Sequence, residues 1–374
     1  MNITEFLSIT AAIIPDREGV VFENRRTAFE ELQERTNRLA HSLADLGVGF
    51  GDRVATLQVN TSDVVETALA TAKADGIFVP LNFRAKAEEL TYMLNDAGPS
   101  VLLVGSRYLD LVESILPDLT SVKHIVTLEG QHRSWTSYDD LVASGSPEER
   151  FPTADDEDLA VLMFTAGTTG FPKGVMLTHN SFSSYILANV EPADPEIEEK
   201  NLLTVPLYHI AGLQAIFAAV YSGRTLIIQR QFEAQEWMEL VQREKVDRAM
   251  MVPTMLKQLM DHSDFGQHDL SSLKVITYGA APMPLEVIRR AIQALPGCRF
   301  INAFGQTETA STITMLAPED HEIPQEATSE EVERRLKRLT SIGKPLPDVE
   351  VRIVDEDANT VSPGEVGEIV ARGP

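Results

Sequence analysis

Hydrophobic positions along the chain follow two alternating spacings. From residue 27 to 46 the apolar side chains recur every three or four residues, which is the spacing of one helix face. Thr27 opens this stretch and Glu30 follows three residues later, so we expect a capping box at the start of the helix. The next stretches read as strand, helix and strand in turn: 54–59, 62–76 and 77–82.

The same alternation continues to about residue 305. A helical pattern over 284–295 begins with Pro284, a residue that suits the first turn of a helix. Continuous apolar strands separated by helices indicate parallel sheets covered on both faces, so the predicted fold class is α/β with more than one sheet. The other predicted strands are 101–105, 123–128, 159–165, 202–207, 225–230, 248–252, 273–278 and 299–304.

The pattern changes near the end of the sequence. Two short alternating runs, 349–355 and 368–373, are separated by turn-forming residues and predict a small β unit. The charged segment 317–340 is partly helical and is expected to lie on the surface. We therefore expect α/β subdomains over 1–340 and the beginning of a small, truncated β subdomain over 341–374.

Composition and charge then narrow the class of protein. The chain has 374 residues, of which 43% are hydrophobic and 24% charged, as in a large globular protein. Its net charge of −24 repels nucleic-acid phosphates and anionic lipid headgroups. Nucleic acid is therefore not an expected partner, and an anionic substrate must be attracted by a local site.

The cysteine count and the lengths of the apolar runs indicate the cellular compartment of the protein. The single cysteine, Cys298, cannot close an internal disulfide, and the first residues lack the basic start of a secretory signal. No run approaches the ~18 apolar residues of a membrane span. We predict a cytoplasmic protein without an integral membrane segment; peripheral membrane contact and homodimer formation stay open.

The segment from Thr165 to Gly174 carries the most informative chemistry. Its three glycines permit close approach of a ligand, and its threonine hydroxyls and backbone N–H groups can donate to phosphate oxygens. Lys173 adds a mobile positive charge. The order of residues differs from a Walker A loop, because Lys173 precedes the last glycine and Pro172 interrupts the loop.

These ten positions closely resemble the AMP-binding signature of the adenylate-forming superfamily, which includes acyl-CoA synthetases, peptide-synthetase adenylation domains and luciferases. Ala166 stands where the family commonly has serine, so one hydroxyl contact to the phosphates is absent. We call residues 165–174 the signature segment. The resemblance implies that ATP is bound there by Thr165, Ala166, Gly167, Thr168, Thr169, Gly170 and Lys173.

A second stretch, 302–308, resembles the family's Asn-x-Tyr-Gly-x-Thr-Glu motif. Phe304 offers a ring to adenine, and Thr307 offers a hydroxyl to the α-phosphate. Magnesium prefers oxygen ligands and phosphates, so Glu308 with the Thr165 hydroxyl would suit Mg²⁺. The cofactor-binding residues implied here are Asn302, Phe304, Gly305, Gln306 and Thr307, and the metal ligands are Thr165 and Glu308.

Two further stretches resemble the family's pockets. The one that starts at Tyr278 is similar to the adenine pocket, and the one over 206–212 is similar to the segment whose aromatic residue gates the carboxylate pocket, here His209. The resemblance implies that Gly279, Ala280 and Ala281 bind the cofactor. It implies a substrate-binding set of His209, Ile210, Gly212, Tyr278, Ala303 and Ser311.

The resemblance covers essentially the whole sequence and implies a reaction. A carboxylate attacks the α-phosphate of ATP to form an acyl-adenylate and pyrophosphate, and coenzyme A then displaces AMP. Lys173, Thr165, Glu308 and His209 would be the catalytic residues. The implied fold is a large N-terminal domain with two mostly parallel sheets and a small β-barrel-like subdomain. The family's lysine-bearing C-terminal domain is missing, so residues 1–374 are expected to bind ATP or AMP but to adenylate poorly.

The substrate is predicted from the residues around His209. No Asp or Glu lies between Asn201 and Phe232 to pair with a substrate ammonium, so a carboxylic acid without an α-amino group is favoured. Apolar and small pocket residues favour a medium- or long-chain fatty acid. An aryl-CoA ligase and a non-catalytic adenylate-binding module remain open; the order of the loop disfavours a phosphotransferase. The apolar or small positions are Ile210, Ala211, Gly212, Leu213, Ala303 and Ser311.

Overall fold

Two compact units divide the chain, Met1–Phe232 and Glu233–Pro374. The computed structural model describes residues 1–166, 170–310, 312–322, 326 and 328–373. In this described part of the chain, no helix combines the length and the apolar character needed to cross a membrane. The domain boundary expected near residue 340 stays a prediction.

Unit 1 contains most of the parallel strands. One sheet has the strand order β7-β6-β5-β3-β4-β8-β9 and is parallel except for the pair β8–β9; four further strands follow the order β10-β11-β1-β2, with only β1–β2 antiparallel. The elements are α1 (Thr4–Ile13), β1 (Glu18–Phe22), β2 (Arg25–Ala28), α2 (Phe29–Asp45), β3 (Arg53–Leu57), α3 (Ser62–Lys73), β4 (Ile77–Pro80), α4 (Ala87–Ala97), β5 (Val101–Gly105), α5 (Leu109–Ile115), β6 (His124–Leu128), β7 (Thr136–Ser137), α6 (Tyr138–Ser144), β8 (Leu159–Thr165), β9 (Lys173–Thr178), α7 (His179–Asn189), β10 (Lys200–Leu203), α8 (Ile210–Ser222) and β11 (Thr225–Ile228).

Unit 2 continues the α/β alternation and ends in β structure. Its strands β12, β13 and β14 pair in parallel, β15 and β16 extend this set antiparallel, and β17 and β18 form a separate antiparallel pair. The elements are α9 (Ala234–Glu244), β12 (Arg248–Met251), α10 (Pro253–Asp261), β13 (Val275–Gly279), α11 (Leu285–Ala294), β14 (Arg299–Gly305), β15 (Thr312–Leu316), α12 (Ser329–Arg338), β16 (Lys344–Pro345), β17 (Glu350–Val354) and β18 (Glu368–Arg372).

Burial explains the continuous apolar strands. Every residue of β4, β5 and β11 is buried, as expected for parallel strands with both faces covered. The α/β class with mostly parallel sheets and a small antiparallel sheet is therefore confirmed. The surface position of the helix within 317–340 is also confirmed, since α12 has no buried residue in its described positions.

Two local predictions are wrong. Thr27 does not cap a helix: it lies in β2, where it pairs with Val20, and α2 begins two residues later after Ala28, whose side chain cannot cap. The strand predicted at 202–207 ends at Leu203, because the chain then turns toward His209 and α8.

Candidate functional site

The two ends of the signature segment lie on paired strands in unit 1. Strands β8 and β9 are antiparallel, and their last and first residues, Thr165 and Lys173, are directly paired across the ladder. Gly170 has φ +121°, a backbone conformation that side-chain-bearing residues rarely adopt. The predicted residues Gly167, Thr168 and Thr169 lie outside the described residues.

Lys173 is an exposed cation at the start of β9. Its ammonium forms no ion pair with any residue that the structure describes, although the chain carries a net charge of −24. The neighbouring Ala166 is exposed and Thr165 is half-buried. An unpaired lysine beside exposed backbone is suited to bind an anionic ligand such as a phosphate.

The segment around His209 is fixed by a buried asparagine. The Asn60 side chain donates to the Val205 carbonyl at 3.1 Å and to the Gln229 carbonyl at 3.2 Å, and it accepts a bond from the Leu207 N–H at 3.0 Å. Val205 and Leu207 lie on the approach to α8, and Gln229 directly follows β11. His209 is the residue that precedes this helix.

The Tyr208 ring lies beside the His209 ring and is itself in contact with Phe83. The Tyr208 ring lies 4.3 Å from the His209 ring and 5.1 Å from the Phe83 ring, measured between centroids. His209 counts as exposed, but desolvation of its ring lowers its pKa, and the charge of Arg84 lowers the pKa further. The imidazole is therefore neutral at neutral pH and can act as a hydrogen-bonding group.

Helix α8 has a buried face and a half-buried face. Leu213 is fully buried, so its side chain belongs to the core of unit 1. Gly212 is also buried, and a Cβ there would lie 2.6 Å from the Pro206 carbonyl oxygen, so close backbone packing accounts for this glycine. Ile210 and Ala211 are half-buried, as expected for residues that border a pocket.

Gln214 was not predicted from the sequence. Both polar atoms of its amide are buried without a hydrogen-bond partner among the described residues. It follows Ile210 by four residues and Ala211 by three, so it shares their side of α8. The signal was available, because Gln214 is the one polar side chain within 210–220.

In unit 2 the predicted adenine-pocket residues lie at the end of β13. Gly279 pairs with Ala303 of β14, and a Cβ on Gly279 would lie 2.3 Å from the Ala303 carbonyl oxygen. Ala280 has φ +64°, which is uncommon for a residue with a side chain, and both Ala280 and Ala281 are exposed. These small residues therefore present bare backbone at this strand end.

Tyr278, predicted to bind substrate, has an internal role. Its side chain is fully buried, and its hydroxyl lies 2.9 Å from Nε2 of His321. The Nδ1 atom of His321 lies 2.9 Å from the Ala317 carbonyl oxygen. In this structure only the backbone of Tyr278 is available to a ligand, because its ring and hydroxyl are occupied inside unit 2.

The 302–308 motif occupies the end of β14 and a short turn. The Gln306 N–H donates to the Thr309 hydroxyl at 2.9 Å, which fixes the turn that carries Thr307 and Glu308. Glu308 is exposed, and the structure describes no partner for its carboxylate. The Asn302 amide donates to the Ser341 carbonyl at 3.1 Å. Phe304 and Ala303 are half-buried, whereas the predicted Ser311 lies outside the described residues.

The donor chemistry fits a magnesium ion held mainly by phosphate. Thr165 in unit 1 and Glu308 in unit 2 each carry an oxygen donor of the kind that Mg²⁺ prefers. Within the described ranges, no group of three or more His, Cys, Asp or Glu side chains could hold a metal ion by itself. Mg²⁺ commonly takes one or two carboxylates together with substrate phosphates and water, so few protein ligands are needed.

Comparison with known proteins defines the class. The family model for AMP-binding enzymes matches residues 8–374, and the chain belongs to this family. Within it, the chain belongs to the acyl-CoA ligase branch and corresponds to the N-terminal domain of its relatives.

Three similar proteins illustrate this placement. Indoleacetate–CoA ligase of Aromatoleum aromaticum is 28% identical, and the alignment covers 100% of this chain and 70% of that protein. Long-chain-fatty-acid–CoA ligase of Thermus thermophilus is 29% identical, with 100% and 69% covered. The inhibitor-bound N-terminal domain of FACL13 from Mycobacterium tuberculosis is 26% identical, with a TM-score of 0.85 and coverage of 100% and 89%.

Proposed function

We propose that the chain is the nucleotide- and acid-binding domain of an AMP-forming acid–thiol ligase. In this reaction a carboxylate attacks the α-phosphate of ATP, pyrophosphate leaves, and the thiol of coenzyme A then displaces AMP from the acyl-adenylate. The observation that carries the proposal is Lys173, which is exposed, is paired with Thr165 across the β8–β9 ladder, and has no ion-pair partner among the described residues. We also propose that residues 1–374 bind nucleotide but catalyse adenylation poorly.

The chemical difficulty is that one anion must approach another. In unit 1, Lys173 and the donors of the signature segment would offset phosphate charge, and Thr165 would offer an oxygen ligand to Mg²⁺. In unit 2, Glu308 would offer a carboxylate ligand to Mg²⁺. When bound, Mg²⁺ neutralises phosphate charge. The small residues Gly279, Ala280 and Ala281 would let adenine approach the backbone, with Asn302, Phe304, Gly305, Gln306 and Thr307 completing nucleotide binding.

His209 is proposed to border the carboxylate pocket. Its lowered pKa keeps the imidazole neutral, so it would orient the acid by a hydrogen bond and leave the carboxylate free to attack. Asn60 binds the main chain at Val205 and Leu207, just before His209, and so fixes the position of His209. In unit 1, Ile210 and Gly212 would border the acyl group. In unit 2, Ala303 and Ser311 are proposed as further substrate-binding residues.

A medium- or long-chain fatty acid is the first candidate substrate. The segment 201–232 lacks acidic residues, and the half-buried Ile210 and Ala211 offer apolar surface. The Thermus thermophilus relative is named for long-chain fatty acids. These features favour a substrate without an ammonium group.

An aromatic acid is the second candidate, and Gln214 favours it. A buried amide without partners is costly, and a substrate hydroxyl or ring N–H could satisfy it, whereas an alkyl chain could not. The Aromatoleum aromaticum relative is named for indoleacetate, which has such an N–H. Comparing octanoate, palmitate, cinnamate and para-hydroxycinnamate as ligands in the presence of ATP would separate the two candidates.

The role of Lys173 can be tested by nucleotide binding. Lys173→Met removes the charge and nearly keeps the side-chain length, so the Kd for Mg·ATP should rise roughly tenfold to hundredfold, the usual value of a charge-assisted hydrogen bond. Isothermal titration calorimetry on residues 1–374 measures this change.

Lys257→Met is the matched control for this measurement. Lys257 pairs with Asp261 on the exposed face of α10 in unit 2, outside the proposed site. Its replacement should leave the Kd within about twofold, since exposed pairs contribute little. Equal effects of the two substitutions, or no effect of Lys173→Met, would refute phosphate binding by Lys173.

A further inference from the structure

Phe171 is an exposed aromatic residue in the signature segment with a specific partner. Its side chain is 54% exposed, yet its ring is stacked on the Tyr92 ring, with centroids 4.5 Å apart and an angle of 23° between the planes. Tyr92 lies on α4, far from Phe171 in sequence. A near-parallel stack of this kind is a favourable aromatic geometry.

Tyr92 projects from a helix that is firmly held. Leu90, Met93 and Leu94 of α4 are buried in the hydrophobic core, and Tyr92 packs against the edge of the same core. At the end of α4, the Arg53 guanidinium donates to the Ala97 carbonyl at 2.6 Å and to the Gly98 carbonyl at 2.8 Å. The Tyr92 ring is therefore attached to a rigid part of unit 1.

Strand β8 and the Phe171 side of the returning chain are both connected to the same hydrophobic core. Leu162 and Phe164 of β8 pack against the cluster that also contacts Tyr92. On the returning side, Phe171 is followed by Pro172, whose ring fixes its own φ, and then by Lys173. Holding the Phe171 ring in place therefore also restricts the position of Lys173, because only Pro172 separates the two residues.

We infer that Tyr92 is a positioning residue that holds residues 171–173, through the Phe171 ring, in place for Lys173 to bind phosphate. The stack would order this side of the loop before nucleotide arrives, so less conformational entropy is lost on binding. This inference rests on the proposed function, because it assigns the loop its ligand. Tyr92 does not itself touch the nucleotide in this account.

Three substitutions test the stack by ATP binding to residues 1–374. Tyr92→Leu and Phe171→Leu keep apolar volume but remove one ring, and each should raise the Kd for Mg·ATP by roughly three- to tenfold. The double variant should bind no more weakly than either single variant, because both remove one interaction. Tyr92→Phe keeps the ring and should restore the Kd to within about twofold.

A second readout requires no ligand. The exposed bond after Lys173 is a trypsin site, and Tyr92→Leu and Phe171→Leu should accelerate its cleavage equally, as followed by mass spectrometry of the fragments. Phe151→Leu is the matched control, since Phe151 is 78% exposed in unit 1 and has no described ring partner. It should change neither the Kd nor the cleavage rate.

The two readouts separate the inference from the proposed function. If the unaltered chain binds no ATP while the cleavage rates change as expected, the proposed function fails and the restraint on the loop stands without its nucleotide role. If ATP binds but the two ring substitutions act additively, or leave both the Kd and cleavage unchanged, the inference is overturned. It is also overturned if Tyr92→Phe behaves like Tyr92→Leu.

Discussion

At the scale of single residues, buried polar groups in unit 1 have different consequences according to their partners. The Asn60 amide satisfies three main-chain groups and so fixes the approach to His209. The Gln214 amide satisfies none among the described residues. The satisfied Asn60 amide stabilises the folded chain. The Gln214 amide can still form hydrogen bonds beside the proposed acid pocket.

His179 is expected to make the stability of the folded chain depend on pH. Its ring is 1% exposed, and desolvation lowers its pKa from 6.5 to about 4, although Asp156 and other nearby carboxylates oppose the shift. Between these two values the unfolded chain binds a proton that the folded chain excludes. The residue's contribution to stability therefore falls as the pH is lowered through this window, by about 3 kcal/mol in total.

The substitution His179→Leu tests this prediction. The variant lacks the titrating group, so in urea unfolding at a series of pH values the free energy of unfolding of the unaltered chain should fall relative to that of the variant as the pH drops from 6.5 to about 4. Below that window the difference between the two should become constant. Parallel stability curves across the window would contradict the prediction.

At the scale of secondary structure, the sequence predicted elements better than their ends. A continuous apolar run identified β5 at its full extent, because burial on both faces leaves a strong pattern. The apolar run at β8 also matched the strand, although only part of β8 is buried. The hairpin of β1 and β2 was missed, and Thr27 was taken for a cap. The hairpin turns at Glu23, which has φ +53°, and its Glu23-Asn24 pair lacks the Asn-Gly or Asp-Gly pattern that marks such turns in a sequence.

Gly170 and Lys173 could be predicted as site residues from the order of the motif around them, and the φ of +121° at Gly170 accounts for a glycine at that position. Contacts between distant segments leave no such pattern. Asn60 and the pair of Tyr92 with Phe171 therefore emerged only when the fold brought their partners together.

The pairing of β13 with β14 predicts the effect of a methyl group at Gly279. Gly279→Ala places a Cβ against the Ala303 carbonyl oxygen, which must move, at a cost of about 1–3 kcal/mol. The midpoint of thermal unfolding should fall by several degrees. Gly266→Ala is the control, because a Cβ there meets nothing within 4 Å and the midpoint should barely change. Equal midpoints for both variants would exclude this close contact.

At the scale of the whole molecule, the net charge of −24 opposes the proposed ligand. ATP and a carboxylate are both anions, so their binding must depend on local cations and donors rather than on the overall field. Lys173 in unit 1 is such a cation, and Mg²⁺ bound with the phosphates would be another. Binding of these anions is therefore expected to depend on a few residues.

The central claim is that this chain binds an acyl-adenylate. Isothermal titration calorimetry of residues 1–374 with a nonhydrolysable acyl-adenosine sulfamate, compared with AMP and with the free acid, tests it most directly. Because the analogue joins the nucleotide and acid contacts in one molecule, we predict one site and a Kd about a hundredfold or more below that of either part. An analogue that binds no tighter than AMP, to a chain that circular dichroism shows to be folded, would contradict the account.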